Sequence, residues 1–330
     1  MPSSRLVDWL RRVLLLVVVA VVLVLLWSNW DEVGPHLGAV SWQAWTLAVL
    51  ISLLAPLLTM FGWRAVLTDL GSRLSLGNAA GIFLVGQLGK YVPGSVWSVV
   101  VQTEMAAKVG VPRRRAGVTG VITLVLSLLT GVVVGLPALP AFVNRGERVS
   151  LVLVALAVAV LLVAVYPPVL NAIVSTVLRL ARRPPLEHPL TGASIALMAM
   201  WFVLAWLAMG VAVWVIAADV AAGGGGALEG GGDGGAGLGG STAYFALVCV
   251  SGFALASAIG MLSVLLPAGV GVREAVLVLL LAGLLTAPAA TAVVILARFL
   301  TLLADVIWAV AGWLWDRAHG LGVRVVEPTS

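Results

Sequence analysis

Gly89-Lys90-Tyr91-Val92-Pro93-Gly94 cuts the apolar stretch at residues 77–107 in two, and Leu266-Pro267-Ala268-Gly269-Val270-Gly271-Val272-Arg273-Glu274 does the same to residues 243–286. A helix needs about 20 apolar residues to cross roughly 30 Å of hydrocarbon. Proline inside a helix removes a backbone hydrogen bond and clashes with the preceding turn, so each break should end one helix and begin another. The arms around Pro93, about 13 to 16 residues each, are short for full spans. Both flanks of the first stretch are basic, with Arg64 and Arg73 before it and Lys108 and Arg113-Arg114-Arg115 after it. It must therefore leave the membrane on the side it entered. The expected structure is a re-entrant helical hairpin, and the second interrupted stretch reads the same way.

Composition supplies the membrane around these breaks. Of the 330 residues, 62% are hydrophobic and 10% charged, and the mean hydropathy is +1.14. Soluble domains carry about one quarter charged residues. Only helices and closed barrels satisfy their backbone in lipid, and the continuous Leu/Val/Ala runs lack the alternation of barrel strands. The expected fold class is all-α, a polytopic helical membrane protein with no room for a soluble catalytic core. Several of the 13 tryptophans (Trp27, Trp30, Trp42, Trp63, Trp313, Trp315) end apolar runs, where rings sit at headgroup depth. The net charge of +5 comes from short basic clusters beside spans, which positive-inside bias explains without nucleic acid. The single cysteine, Cys249, excludes a disulfide framework and a thiolate zinc site, so neither metal nor cofactor is expected.

Counting charges on each loop assigns sides. Arg5, Arg11 and Arg12 precede a first span at about 13–30, and Ser28-Asn29-Trp30-Asp31-Glu32 offers no small-residue cleavage pattern, so the span is read as retained, with the amino terminus cytoplasmic. A second span at about 43–63 returns to Arg64, the first hairpin occupies about 77–107, and a span at about 116–138 leads out. The loop that follows carries Arg145 and Arg148, which fit an outer face poorly. Spans at about 149–177 and 192–218 come next, then an outer Gly-rich loop at 219–241, the second hairpin at about 243–286 and a closing span at about 289–315. Arg317 and Arg324 place the carboxyl terminus inside as well.

Residues 1–148 and 149–330 thus repeat one order of span, span, broken hairpin, span, with opposite orientation. Pro93 precedes Gly110 by 17 residues and Pro267 precedes Gly283 by 16; each glycine precedes an alanine, Ala116 or Ala289, by six. Inverted repeats whose broken helices meet near the midplane are a recurring plan of secondary transporters. Ordinary kinks at Gly and Pro are the plainer alternative.

Lys90, Glu104, Arg273, Glu274, Arg298 and Asp305 lie within or against apolar segments. A charge at the bilayer centre costs about 2.5–3.5 kcal/mol on insertion scales, so each is a functional candidate. Plainer roles compete. Lys90 can snorkel to a headgroup. Glu104 lies four residues from Lys108, the spacing of an ion pair on one helix face. Glu274 at a helix start suits the macrodipole. Arg298 and Asp305 are seven apart with Thr301 between them, so they share a helix face. Cations among the free amides of broken helix ends suit a phosphate.

Two segments carry a family resemblance. The first is Gly89-Lys90-Tyr91-Val92-Pro93-Gly94-Ser95-Val96-Trp97 continuing to Gly110-Val111; the second is Leu266 through Ala275, then Gly283 and Arg298-Phe299. In these the chain resembles the transmembrane region of the lysylphosphatidylglycerol synthase and flippase family. Many members carry an Arg about nine residues after the first proline, where this chain has Gln102, so the resemblance implies a less direct anion contact from the first half. The membrane region of two-domain members is linked to lipid translocation, and an appended soluble aminoacyltransferase makes the modified lipid. The resemblance implies the lipid-moving part without the synthetic part.

The function expected is a lipid translocator of the cytoplasmic membrane. It would move an anionic or modified headgroup, borne by a phospholipid or a polyprenyl phosphate, through a polar crevice between the hairpins. Lys90, Pro93, Gln102, Glu104, Arg273, Glu274, Arg298 and Asp305 are the expected substrate contacts. Lys90 and the two arginines would meet phosphate, while Glu274 and Asp305 would orient the arginines or exchange protons. Two alternatives remain open: a polyprenyl-donor glycosyltransferase using Asp31 and Glu32 as catalytic acids, and a non-catalytic partner of envelope-synthesis enzymes.

Overall fold

The computed structural model describes residues 40–91, 97–143, 166–180, 190–223, 242–263 and 267–319 continuously, with scattered positions between 24 and 35 and between 152 and 163. Within these residues the chain is helical, and five helices are long and apolar enough to cross a membrane: Trp42–Asp69, Arg113–Ala141, Gly192–Gly223, Thr242–Leu262 and Ala287–Trp315. The expected spans at 43–63, 116–138, 192–218 and 289–315 are all among them. Most of the expected first span at 13–30, scattered positions of the span at 149–177 and the Gly-rich loop beyond Gly223 lie outside the described residues, as do Arg145, Arg148 and both chain ends.

The first long helix is two segments, α1 (Trp42–Ser52) and α2 (Leu54–Asp69), joined at Leu53. Pro56 has no N–H to offer the Ser52 carbonyl, which accounts for the joint. Trp308 Nε1, from the last helix, donates to the neighbouring Leu53 carbonyl at 2.8 Å. After a turn at Gly71, α3 (Leu76–Gly86) is capped by Ser75, whose Oγ accepts from Asn78 N–H. It tightens into a 3₁₀ turn at Gln87–Tyr91, and α4 (Trp97–Lys108) leads back. α5 (Arg113–Gly135) continues as a 3₁₀ segment through Val143. α6 (Pro167–Leu180), α7 (Gly192–Gly223) and α8 (Thr242–Leu262) follow. A 3₁₀ turn at Pro267–Gly269, α9 (Val272–Leu281) and α10 (Ala287–His319) complete the order.

Both breaks exist, and they are unequal. The arms of the first are 11 and 12 residues, as expected of a re-entrant hairpin. The second has a 21-residue first arm, long enough to span on its own, and a 10-residue second arm. Its sequence explains the difference, since no proline or charge interrupts residues 242–262.

Helix partners are exchanged between the halves. α3 packs on α10 as α8 packs on α5, so each hairpin's first arm lies against the other half's last long helix. α2 and α7 form the most extensive pair, with Gly62 letting Phe202 and Met198 close on α2. The ends of α7 and of the long helix made by α1 and α2 are tied by two matching carboxylates. Asp219 accepts from Ser41 N at 2.6 Å and Ser41 Oγ at 3.1 Å, and Asp69 accepts from Thr191 N at 2.9 Å, Thr191 Oγ1 at 2.9 Å and Ser194 Oγ at 2.6 Å. Each Asp near the end of one helix thus caps the start of the other, so the two run antiparallel. Ser41 precedes Asp69 by 28 residues, and Thr191 precedes Asp219 by 28.

One interfacial expectation is overturned. Trp63 is fully buried against Phe83, with ring centroids 5.7 Å apart, because α2 runs on to Asp69 and places residue 63 inside the packed region. Trp27, Trp30, Trp42, Trp313 and Trp315 are exposed.

Candidate functional site

The breaks bring backbone and charge together because glycine allows close approach. A Cβ on Gly89 would sit 2.5 Å from Ser98 N, so the first hairpin closes only without a side chain there. A Cβ on Gly269 would lie 2.8 Å from Gly260 Cα, and Gly269 adopts φ +67. Ala268 beside it takes φ +48 and ψ +29, a left-handed conformation that costs an L-residue about 1–2 kcal/mol. Its carbonyl accepts from Arg298 Nη1 at 3.2 Å. Strained backbone facing a buried cation is a pattern that clusters at functional sites.

The two breaks touch each other, and a cavity of about 260 Å³ lies where they meet. Lys90, Gln102, Arg273, Arg298 and Asp305 all line it. Glu274 joins the group through Arg298, whose Nη1 donates to Glu274 Oε1 at 3.2 Å. The other Glu274 oxygen accepts from Gly271 N at 2.7 Å, completing a cap on α9, so the carboxylate both caps the helix and holds an arginine. Arg273 Nη2 donates to Thr301 Oγ1 at 3.1 Å and its guanidinium stacks 4.7 Å from the Phe253 ring centroid. Arg298, Thr301 and Asp305 share one face of α10, as their spacing required.

Three expectations about partners need correction. Asp305 does not hold an arginine. It pairs with Lys90 Nζ at 2.7 Å and accepts from the Tyr91 hydroxyl at 2.5 Å, both from the first break. Lys90 does not reach for the membrane surface alone, since its ammonium turns inward to that carboxylate while its side chain stays 33% exposed. Glu104 is not bound to Lys108 and does not line the cavity. Arg113 Nε and Nη2 clamp it at 3.0 and 2.9 Å, because the turn at Gly110 folds the start of α5 back over the end of α4. Pro93 lies outside the described residues, as does Glu32, and Asp31 is exposed.

Sequence reasoning missed Tyr91 as a site residue. An aromatic in an apolar run carries no signal of its own, although here it is buried, bonds Asp305 and lies under Arg298 with 5.9 Å from Cζ to ring centroid. It also missed Ser257, which lines the cavity with its hydroxyl unpartnered among the described residues.

Arg298 is 3% exposed, and its Nε and Nη2 find no partner among the described residues. A buried guanidinium with unpartnered N–H groups is uncommon, because buried polar groups are nearly always hydrogen-bonded. Compared with known families, residues 13–224 match the lysylphosphatidylglycerol synthase TM region. The chain belongs to this family. The match takes in the first break and α7, while the second break and α10, which complete the cavity, lie beyond residue 224. No curated relative matches the chain. The protein is accordingly a multi-pass helical membrane protein of a family tied to lipid handling.

Proposed function

We propose that this family member translocates a lipid across the cytoplasmic membrane, taking an anionic headgroup into the cavity between the breaks while the acyl or prenyl chains stay in the bilayer. The observation that carries the reading is the cavity itself: three cations and the Asp305 carboxylate, contributed by both halves, line about 260 Å³ at the meeting point of two interrupted helices, and Glu274 holds Arg298. Membranes rarely tolerate buried charge without a use for it. In this reading the halves are inverted repeats and both termini are cytoplasmic. The exchanged helix partners and the two capping aspartates support the repeat, since two like halves packed antiparallel produce such reciprocity. No covalent bond is made or broken. Lys90, Arg273 and Arg298 meet phosphate, and the lipid is a phospholipid or a polyprenyl-phosphate lipid.

The test is reconstitution in liposomes containing tail-labelled fluorescent phospholipid, with leaflet exchange read by quenching the outer label. The protein should raise the exchange rate over protein-free liposomes, and Arg298→Ala or Arg273→Ala should abolish the gain. Exchange unchanged by both substitutions would remove the cavity from the mechanism; no gain with the unsubstituted protein would end the translocation reading.

A further inference from the structure

The charges of the cavity do not balance, and the imbalance sits at one residue. Lys90 is answered by Asp305 at 2.7 Å and Arg298 by Glu274 at 3.2 Å. Arg273, buried and lining the same cavity, has a hydroxyl and an aromatic ring as partners and no carboxylate among the described residues. Both carboxylates at the site are therefore engaged, and one guanidinium is left without a counter-charge. Burying an uncompensated cation is costly, which makes the cavity complementary to one negative charge. The donors agree with the charge, since Arg298 still has two N–H-bearing nitrogens to offer and Ser257 a hydroxyl.

We infer that the cavity selects a phosphodiester, a phosphate bearing a single negative charge, and discriminates against headgroups that carry an ammonium or a second phosphate charge. An ammonium finds no carboxylate free to receive it, because Asp305 and Glu274 already hold Lys90 and Arg298. A terminal phosphate monoester or a pyrophosphate brings a charge that only a broken Lys90–Asp305 or Arg298–Glu274 pair can meet. The selection thus admits unmodified phosphatidylglycerol-like or sugar-phosphoprenyl headgroups and refuses aminoacylated ones. It rests on the translocation reading for its biological use, but it is a statement about binding.

Titration of the detergent-solubilised protein with short-chain dihexanoyl lipids, followed by native mass spectrometry, tests it directly. The series is phosphatidylglycerol, its lysyl ester, phosphatidic acid and phosphatidylcholine, with glycerophosphoglycerol as the headgroup alone. Phosphatidylglycerol should bind about tenfold or more tighter than the lysyl ester and phosphatidic acid, the factor that one charge-assisted contact supplies. Arg273→Gln should erase that preference and Arg273→Lys should keep it. Glu274→Gln, which leaves a second cation unanswered, should shift the preference toward phosphatidic acid. Binding of glycerophosphoglycerol as tight as that of the lipid would confirm the charge rule and assign it to a soluble phosphodiester. Equal affinities across the series, or a preference unmoved in both Arg273→Gln and Glu274→Gln, would overturn the inference. Its failure is separable from that of the proposed function, because leaflet exchange without headgroup preference leaves translocation standing, and preference without exchange leaves only the binding rule.

Discussion

The first break meets the cavity with an ammonium and a phenol that lean across to Asp305 of the other half, whereas the second half meets it with two guanidinium groups, Arg273 after its break and Arg298 on α10, whose partners Thr301 and Glu274 belong to that same half. The second half therefore supplies partners for both of its own guanidinium groups. The first is held to it by a contact that exists only while the halves are together. Arm length follows the same division, since α8 has 21 residues and a dense interface, while α3 and α4 have 11 and 12. On the first hairpin's second arm the cavity is lined by Gln102, neutral and buried against Gly86. The buried guanidinium groups thus belong to the second half, and the ion pair that crosses the seam starts from the first.

The strongest way to break that division is Arg298→Ala. It strands Glu274 and removes the only side-chain link between the strained Ala268 carbonyl and α10 among the described residues. Lipid exchange should fall by about 100-fold, the scale of losing a buried charge-assisted contact of about 3 kcal/mol. Initial exchange rates in liposomes check it, and a fall no greater than that from Gln102→Ala would erase the distinction between the hairpins.

Next in size are the two close approaches. Gly269→Ala combines a left-handed φ with a backbone collision and should cost about 3 kcal/mol, seen as a lowered thermal midpoint in detergent. Gly89→Ala has the collision without the positive φ, and should cost less. The reverse order would mean that the first break, not the second, is the rigid one.

Smaller again is the coupling across the seam. A double-mutant cycle of Lys90→Ala and Asp305→Ala should return about 1–2 kcal/mol, held down by the partial exposure of Lys90. A coupling near zero would leave the halves without this tie. The smallest effect expected is a gain: Ala268→Gly relieves the left-handed alanine and should stabilise the protein by about 1 kcal/mol with headgroup binding unchanged. A loss of stability would show that the methyl group packs more than it strains.

How much of this was legible follows from what a side chain reveals when read alone. Arg273, Arg298 and Asp305 could be found because charge inside an apolar run is costly wherever it points, and the seven-residue spacing put two of them on one face. The breaks were legible because proline states its own effect. Partners were not: Asp305 was matched to arginines on its own half because a carboxylate's nearest cation in sequence is not its nearest in space. Glu104 failed for a related reason, since Arg113 lies nine residues on, beyond a turn whose direction only packing sets. Trp63 misled because the span was ended there, just before Arg64, six residues short of where the helix stops. The equal spacing of Ser41 to Asp69 and Thr191 to Asp219 was present to be read, but a hydroxyl and a carboxylate 28 residues apart suggest nothing until the helix between them is known to be continuous.

Those two capping aspartates also impose a timetable. Each joins a carboxylate of one half to the hydroxyl and amide of the other, so neither can form while only the first half has been made. Asp69 waits for Thr191 and Ser194, and Ser41 waits for Asp219, 178 residues later. At a synthesis rate of about 5–20 residues per second, Ser41 stays unmatched for roughly 9–36 s. For that interval the start of α1 lacks its partner, and the pairing of α2 with α7, its most extensive neighbour, stays incomplete. The two ties then become possible in quick succession, Asp69 first and Asp219 a few seconds after, and the contacts of α10 with the first half, Asp305 to Lys90 and Trp308 to Leu53, have to wait longer still.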